Sequence, residues 1–322
     1  MTPRIVILES IHADGVESMR AYAEVDVHLG LSRAELLDTI PGFDAAVIKS
    51  VTSVDTDLLR VAQRLRCIGR AGVGTDNIDL RAVEAQRIAL ITTPDQNTVA
   101  VAEFTVGLVV VLARNVVDAA AAVRRGDFRR QLFEGREIAE MTVGIVGLGR
   151  AGMAVAKRLQ SFGCKLLGHD PAPRDAAAFE RMGGRILASL NDVFKQADLI
   201  TLHVPLTEGT RALVSRPLLV TAKPGLLLIN TCRGAVVDDA AMLEALNDGR
   251  VARLAVDVLY PEPPFDKTSG TSYAHPLLGH PRVLVTPHIG ASTAEGQRRI
   301  ALELADRMRP ILASADVRLR AR

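Results

Sequence analysis

Short, continuous runs of branched apolar residues recur along this chain, each closed by glycine, proline or a polar turn and followed by a helical spacer. "RIVILE" (Arg4–Glu9), "AAVIKS" (Ala45–Ser50), "RCIGRAG" (Arg66–Gly72) and "IALITT" (Ile88–Thr93) occupy the first hundred residues. After Thr142 follow "VGIVG", "KLLGHD", "DLITLHVP", "GLLLINT", "RLAVDV" and "RVLVTP". Runs that are apolar throughout, rather than at alternate positions, mark strands covered on both faces, and the spacers are crossover helices between parallel neighbours. The expected class is therefore α/β, with two doubly wound parallel-sheet domains. One comprises residues 1–97, and the other 98–289. The stretch "ASTAEGQRRIALELADRMRPIL" (Ala291–Leu312) places Ile300, Leu304 and Met308 at helical spacing. It is expected to return to the first domain, making that domain discontinuous (1–97 and 290–322).

Composition narrows the function. A chain of 322 residues has room for two such domains, and 48% apolar with 24% charged residues is a globular balance. Aromatics are 3% and Trp is absent, so the core is built from Val, Leu, Ile and Ala. A net charge of +2 argues against a nucleic-acid partner, which needs a clustered basic face. Arg124–Arg125 and Arg129–Arg130 read as solvated helix ends. Cys67, Cys164 and Cys232 are odd in number and far apart, with neither a CxxC pair nor metal-ligand spacing, so no metal is expected. With no cleavable apolar leader after Met1, a reduced cytoplasmic location is expected. The most apolar stretch, "VAVAEFTVGLVVVLAR" (Val99–Arg114), is interrupted by Glu103 and shorter than the ~20 residues of a membrane span. It reads as a buried or subunit-facing helix, and no membrane partner is expected.

One turn carries a ligand signature. Gly147-Leu148-Gly149-Arg150-Ala151-Gly152 follows an apolar strand and opens the helical "MAVAKRLQSFG". In such a frame the first glycine permits the tight turn and the second lets a diphosphate approach the backbone. The third lets helix and strand pack closely, while the free N–H groups of the helix start face the anion. The next strand ends at Asp170, near the ~20-residue offset at which an acid meets the adenosine ribose hydroxyls. A carboxylate there repels a 2′-phosphate, and Pro171, Ala172 and Pro173 follow rather than a basic residue, although Arg174 stands close by. The expected cofactor is NAD rather than NADP, in a Rossmann domain.

Ligands of open parallel sheets sit outside the carboxyl ends of the strands. Behind successive strands of the second domain lie Val204 and Pro205, then Cys232 and Arg233, then Asp257 with Glu262 five residues on, then Pro287, His288, Ile289 and Gly290. An arginine, two acids and a histidine on one edge suit hydride transfer to a 2-keto acid. Histidine can give the carbonyl its proton, a carboxylate fixes the ring, and a guanidinium forks onto a substrate carboxylate. His203 and His288 both stand at strand ends, and spacing does not choose between them. Cys232 lacks a base partner and reads as packing.

These residues resemble the D-isomer-specific 2-hydroxyacid dehydrogenases, above all their phosphoglycerate dehydrogenase branch. The blocks "GRAGVGTDNID" (Gly69–Asp79), "GIVGLGRAG" (Gly144–Gly152), "HVPLT" (His203–Thr207), "INTCRGAVVD" (Ile229–Asp238), "DVLYPEPP" (Asp257–Pro264) and "TPHIGAST" (Thr286–Thr293) match in order over nearly the whole chain. The resemblance implies a flavodoxin-like first domain and a Rossmann second domain. It also implies Arg233 as the residue that orients substrate, Glu262 as support for the base, and His288 rather than His203 as proton donor. Gly147, Gly149, Arg150, Ala151 and Gly152 would lie along the diphosphate and Asp170 on the ribose. His203, Val204, Pro205, Thr231, Cys232, Arg233, Asp257, His288 and Gly290 would complete the cofactor side, with Asp257 on the carboxamide. From the first domain, Lys49 and Ser50 would meet substrate, Val73 and Gly74 would offer it backbone N–H groups, and Asn97 would stand at the hinge. A homodimer through residues 99–128 is implied as well.

Three features depart from the phosphoglycerate pattern. Lys49 stands where that branch often has arginine, which loses a bidentate fork. No amino-acid-sensing domain is expected after Arg322, and "DKTSGTSYAHPLLGHP" (Asp266–Pro281) is long for the connection between acid and histidine. A glyoxylate or hydroxypyruvate reductase is the neighbouring alternative. A non-catalytic, NADH-sensing protein like the C-terminal-binding corepressors is the alternative from another class.

Overall fold

A computed structural model describes residues 2–263 and 273–314. Residues 264–272 and 315–322 lie outside the described residues, and with them part of the long Asp266–Pro281 connection and the end of the expected first domain. The described chain forms two compact units, 2–97 with 292–314, and 98–263 with 273–291.

The first unit holds five strands: β1 (Arg4–Ile7), β2 (Glu24–Val27), β3 (Ala45–Ile48), β4 (Cys67–Arg70) and β5 (Ala89–Thr92). All pair in parallel, in the order β2-β1-β3-β4-β5, a flavodoxin-like winding with its switch point between β1 and β3. Successive residues of each strand feed opposite faces. Val6, Ala46, Ile48 and Ile68 pack with Leu58, Leu59 and Val83 on one side. Ile5, Ile7, Ala45, Val47 and Cys67 pack on the other with Met19 and with Ile300, Leu304 and Met308 of the helix Ala294–Ala313. That helix is fixed at both ends. The Thr293 hydroxyl accepts from Gly296 N at 3.1 Å, and the Arg66 guanidinium donates to the carbonyls of Leu312 and Ser314 at 3.1 and 2.9 Å.

The second unit holds β6 (Thr142–Val146), β7 (Lys165–His169), β8 (Arg185–Ile186), β9 (Leu199–Leu202), β10 (Leu226–Asn230), β11 (Val251–Val256) and β12 (Val283–Val285). Its parallel order β12-β11-β10-β9-β6-β7-β8 reverses direction between β6 and β9, which is the Rossmann arrangement. Ile200, Leu202, Leu228 and Leu254 pack on one face, and Val143, Ile145, Leu199 and Ile229 on the other. The helix Thr98–Ala113 covers the second face through Ala102, Leu108, Val109 and Leu112, while Val99 on its outer side stays exposed. Among the described residues no single helix is long and apolar enough to cross a membrane.

Candidate active site

The sheet order of the second unit fixes which side chains share its carboxyl edge. Reading β12-β11-β10-β9-β6-β7, the strand ends deliver His288, Asp257 with Glu262, Arg233, His203 with Val204, the glycine turn and Asp170.

At the switch point, Gly147 has φ +94°, and a Cβ there would stand 2.5 Å from the carbonyl oxygen of His203. This close approach seats the turn against His203 and Val204, whose side chain would be 3.1 Å away. A Cβ on Gly152 would lie 1.9 Å from the Gly147 carbonyl, so the helix Arg150–Leu159 can pack against the turn only with glycine here. Gly149 caps that helix, and a Cβ added to it would meet nothing within 4 Å. The turn is thus closed behind Gly147 and Gly152 and open in front of Gly149, the shape that admits a diphosphate to the backbone N–H groups of the helix start. Asp170 is locked to the same turn. Its Oδ2 accepts from Leu148 N at 2.7 Å and its Oδ1 from Ala172 N at 2.8 Å. Arg150 and Ala151 form the first turn of the helix.

On the other half of the edge, His288 Nδ1 lies 3.0 Å from Glu262 Oε1, with both side chains about one-third exposed. His288 has φ +55°, a left-handed backbone that costs a histidine of order 1–3 kcal/mol and persists only where the surroundings impose it. Asp257 imposes it. Its buried carboxylate accepts from Thr286 Oγ1 at 2.6 Å and Ile289 N at 2.9 Å through Oδ1, and from Gly290 N at 2.8 Å through Oδ2. The acid expected on the cofactor carboxamide is therefore also the clamp of the His288 turn, a use that sequence spacing did not reveal.

Arg233 follows β10. Asn230 Nδ2 donates to its carbonyl at 2.8 Å, and its own Nη1 donates to the Cys232 carbonyl at 2.6 Å. A Cβ on the next residue, Gly234, would stand 2.3 Å from the Leu259 carbonyl carbon and 2.6 Å from Tyr260 N. The arginine loop thus lies directly on the segment that leads to Glu262. Thr231 Oγ1 is 3.1 Å from Thr105 Oγ1 of the covering helix. Burial pushes the Cys232 thiol up, and it donates to Asn230 Oδ1 at 3.1 Å, which makes it a structural thiol. His203 shares a 3.0 Å hydrogen bond with Thr201 Oγ1 through Nε2, and desolvation pushes its imidazole down to about 4. Pro205 accepts from Thr210 Oγ1 through its carbonyl. Among the described residues no group of three or more His, Cys, Asp or Glu side chains is placed to hold a metal ion.

In the first unit, Lys49 and Ser50 follow β3, Val73 and Gly74 follow β4, and Asn97 follows β5, all on that sheet's carboxyl edge. Val73 is exposed. Asn97 is the last residue of the unit before the chain passes to Thr98. The Lys49–Thr52 loop is held by a residue that the motifs did not flag. The Glu9 carboxylate accepts from the backbone N–H of Lys49, Ser50, Val51 and Thr52 at 2.8–3.1 Å. Asn77 Nδ2 donates to the carbonyls of Lys49 and Thr52 at 3.0 and 2.6 Å.

Residues 106–290 match the family model of the D-isomer specific 2-hydroxyacid dehydrogenase NAD binding domain. The chain is 38% identical over 310 residues to D-3-phosphoglycerate dehydrogenase of Methanocaldococcus jannaschii, an alignment covering 96% of this chain and 57% of the relative. It thus spans little more than half the length of that relative. It is 37% identical over 279 residues to hydroxypyruvate reductase of Thermotoga maritima, covering 86% of this chain and 88% of the relative. Among solved structures, the TT0316 protein of Thermus thermophilus superposes with a TM-score of 0.85 at 33% identity, covering 96% of each chain. D-lactate dehydrogenase of Aquifex aeolicus, complexed with NAD and lactic acid, superposes with 0.84 at 25% identity, covering 95% of this chain and 94% of that one.

Proposed function

We propose that this chain, which belongs to the D-isomer specific 2-hydroxyacid dehydrogenases, is an NAD-dependent oxidoreductase that interconverts a small D-2-hydroxy acid and its 2-keto acid. The observation that carries this reading is the 3.0 Å Glu262–His288 pair on the same sheet edge as the open glycine turn. Gly147, Gly149, Arg150, Ala151 and Gly152 hold the cofactor diphosphate, and Asp170 the ribose. His203, Val204, Pro205, Thr231, Cys232, Asp257 and Gly290 line the rest of the cofactor's length. When bound, the nicotinamide supplies or accepts the hydride at C2 of the acid.

The protein's own residues handle the proton and the charge. Glu262 accepts a hydrogen bond from the Nδ1–H of His288 and favours the imidazolium, whose Nε2 donates a proton to the carbonyl oxygen in reduction, ending as neutral imidazole, and takes it back in oxidation. The depressed basicity of His203 keeps that ring neutral at pH 7, which supports His288 as the donor. Arg233 binds the substrate carboxylate and polarises the adjacent carbonyl. Lys49, Ser50, Val73, Gly74 and Asn97, at the strand ends of the first unit, are that unit's candidates for substrate contacts. The hydroxypyruvate reductase relative, aligned over most of both chains, and the lysine at position 49 favour a small unphosphorylated acid as the second substrate reading beside 3-phosphoglycerate.

A homodimer through residues 99–128 is part of the same reading. Val99, Val116, Val117, Val123 and Phe128 are exposed along this stretch, an apolar surface that a second copy would cover. The reducing cytoplasm is the compartment proposed, which three thiols without disulfide partners fit.

The test is NADH oxidation against a panel of 2-keto acids, each with and without a 3-phosphate. Saturable turnover of at least one acid to its D-2-hydroxy product is expected. A protein that binds NADH but turns over none of them, and instead captures peptides, would support the corepressor-like alternative.

A further inference from the structure

Glu262 stands on an irregular segment, yet its carboxylate must meet His288 within hydrogen-bond range. β11 ends at Val256, and Val258 and Leu259 are buried, but Tyr260 is already half exposed. Two side chains of the Asp266–Pro281 connection grip the segment's backbone. The Tyr273 hydroxyl donates to the Pro261 carbonyl at 2.6 Å. His275 Nε2 lies 3.3 Å from the Tyr260 carbonyl and 3.1 Å from Asp239 Oδ2.

The histidine's protonation follows from its other nitrogen. Nδ1 accepts from Leu277 N at 3.3 Å, so the hydrogen resides on Nε2, where carbonyl and carboxylate both accept it. The pair is itself anchored. The side chain of His275 is 2% exposed and its ring stacks on Tyr273, with centroids 6.2 Å apart and planes inclined by 17°. Leu277 is buried in the core, and Asp239 begins the helix Asp239–Asn247 behind the Arg233 loop.

We propose that Tyr273 and His275 are positioning residues for the Glu262–His288 couple, fixing the carbonyls of Pro261 and Tyr260 so that the Glu262 carboxylate arrives at His288 Nδ1. The inference rests on the reading of Glu262 and His288 given above. It gives the described part of the Asp266–Pro281 connection a task in turnover rather than in chain closure alone. A displaced supporting group of this kind costs turnover and not cofactor affinity, since misplacement by 1 Å can cost about a hundredfold.

The test is a double-mutant cycle in the full chain, read as kcat and KM for NADH with the best 2-keto acid of the panel. Tyr273→Phe removes only the hydroxyl. It is expected to lower kcat about tenfold with the KM for NADH unchanged, and to change kcat less than about twofold in the Glu262→Gln background. His275→Ala is expected to show the same pattern, and His275→Gln, which keeps a donor near the Nε2 position, to recover most of the loss. Equal losses in both backgrounds, or no loss with Tyr273→Phe, would overturn the positioning role. A Glu262→Gln enzyme with undiminished kcat would overturn the Glu262 reading itself, and the brace with it.

Discussion

Replacing Gly149 with alanine separates cofactor binding from folding. Nothing lies within 4 Å of a Cβ at this position, and its φ of −74° is ordinary for any residue. Alanine loses a little as a helix cap and gains a little by restricting the unfolded chain, so stability should change by no more than about 1 kcal/mol. The methyl group, however, occupies the open side through which a diphosphate reaches the helix start. Displacing the anion from even one N–H donor costs about 1.5–3 kcal/mol, since the acceptor is charged. At 1.4 kcal/mol per decade this raises the Kd for NADH roughly tenfold to a hundredfold. The assay pairs a fluorescence titration of NADH with a thermal melt. Gly152→Ala is the contrast, because its Cβ would stand 1.9 Å from the Gly147 carbonyl and should reduce both stability and binding. A Gly149→Ala protein that binds NADH as tightly as the parent would refute the diphosphate cradle.

Two further outcomes follow from the geometry. The His203 imidazole is depressed from its ordinary 6.5 to about 4 by desolvation, so between those values the unfolded state binds the proton and the folded state does not. Stability from this group is complete above pH 6.5 and is lost as pH falls toward 4, by about 1.4 kcal/mol per unit of the interval at most. The melting temperature of the parent should therefore drop more steeply from pH 7 to 4 than that of His203→Gln, and parallel curves would contradict the assignment. Leu304 is fully buried between the C-terminal helix and the first sheet, so Leu304→Ala should cost about 2–5 kcal/mol in chemical denaturation. A cost under 1 kcal/mol would mean that the helix does not pack there.

The fold was legible where burial on both faces left its mark. Ile5 to Ile7, Ala45 to Ile48 and Leu226 to Ile229 are apolar at every position because helices cover both sides of these strands. Two edge strands were not legible, although the opposite edges, Ala89–Thr92 and Val283–Val285, carried apolar runs that were. Glu24–Val27 alternates acids with valines, and Arg185–Ile186 is two residues long, so neither carries the continuous run that marks a central strand. In the candidate site, motif spacing pointed to the glycine turn, Asp170, Arg233 and Glu262, whose neighbourhood follows from strand order, while the choice of His288 over His203 came from the family resemblance alone. The supports could not be read the same way. Glu9 reaches the Lys49 loop across the sheet's switch point, and Tyr273 and His275 reach the Glu262 segment from within the Asp266–Pro281 connection. Contacts of that range depend on where irregular backbone comes to rest, which no local period encodes. Asp257 was visible as a strand-end acid, but its hold on the His288 turn appears only once the hydrogen bonds of Ile289 and Gly290 are in place.

The most direct measurement is the reduction of a 2-keto acid by NADH in His288→Asn, followed at 340 nm alongside an NADH titration of the same protein. Loss of the proton donor should lower kcat by roughly a hundredfold to ten-thousandfold, while the Kd for NADH stays within about twofold of the parent. Turnover at the parental rate, or cofactor binding lost together with turnover, would contradict the role given to the Glu262–His288 pair.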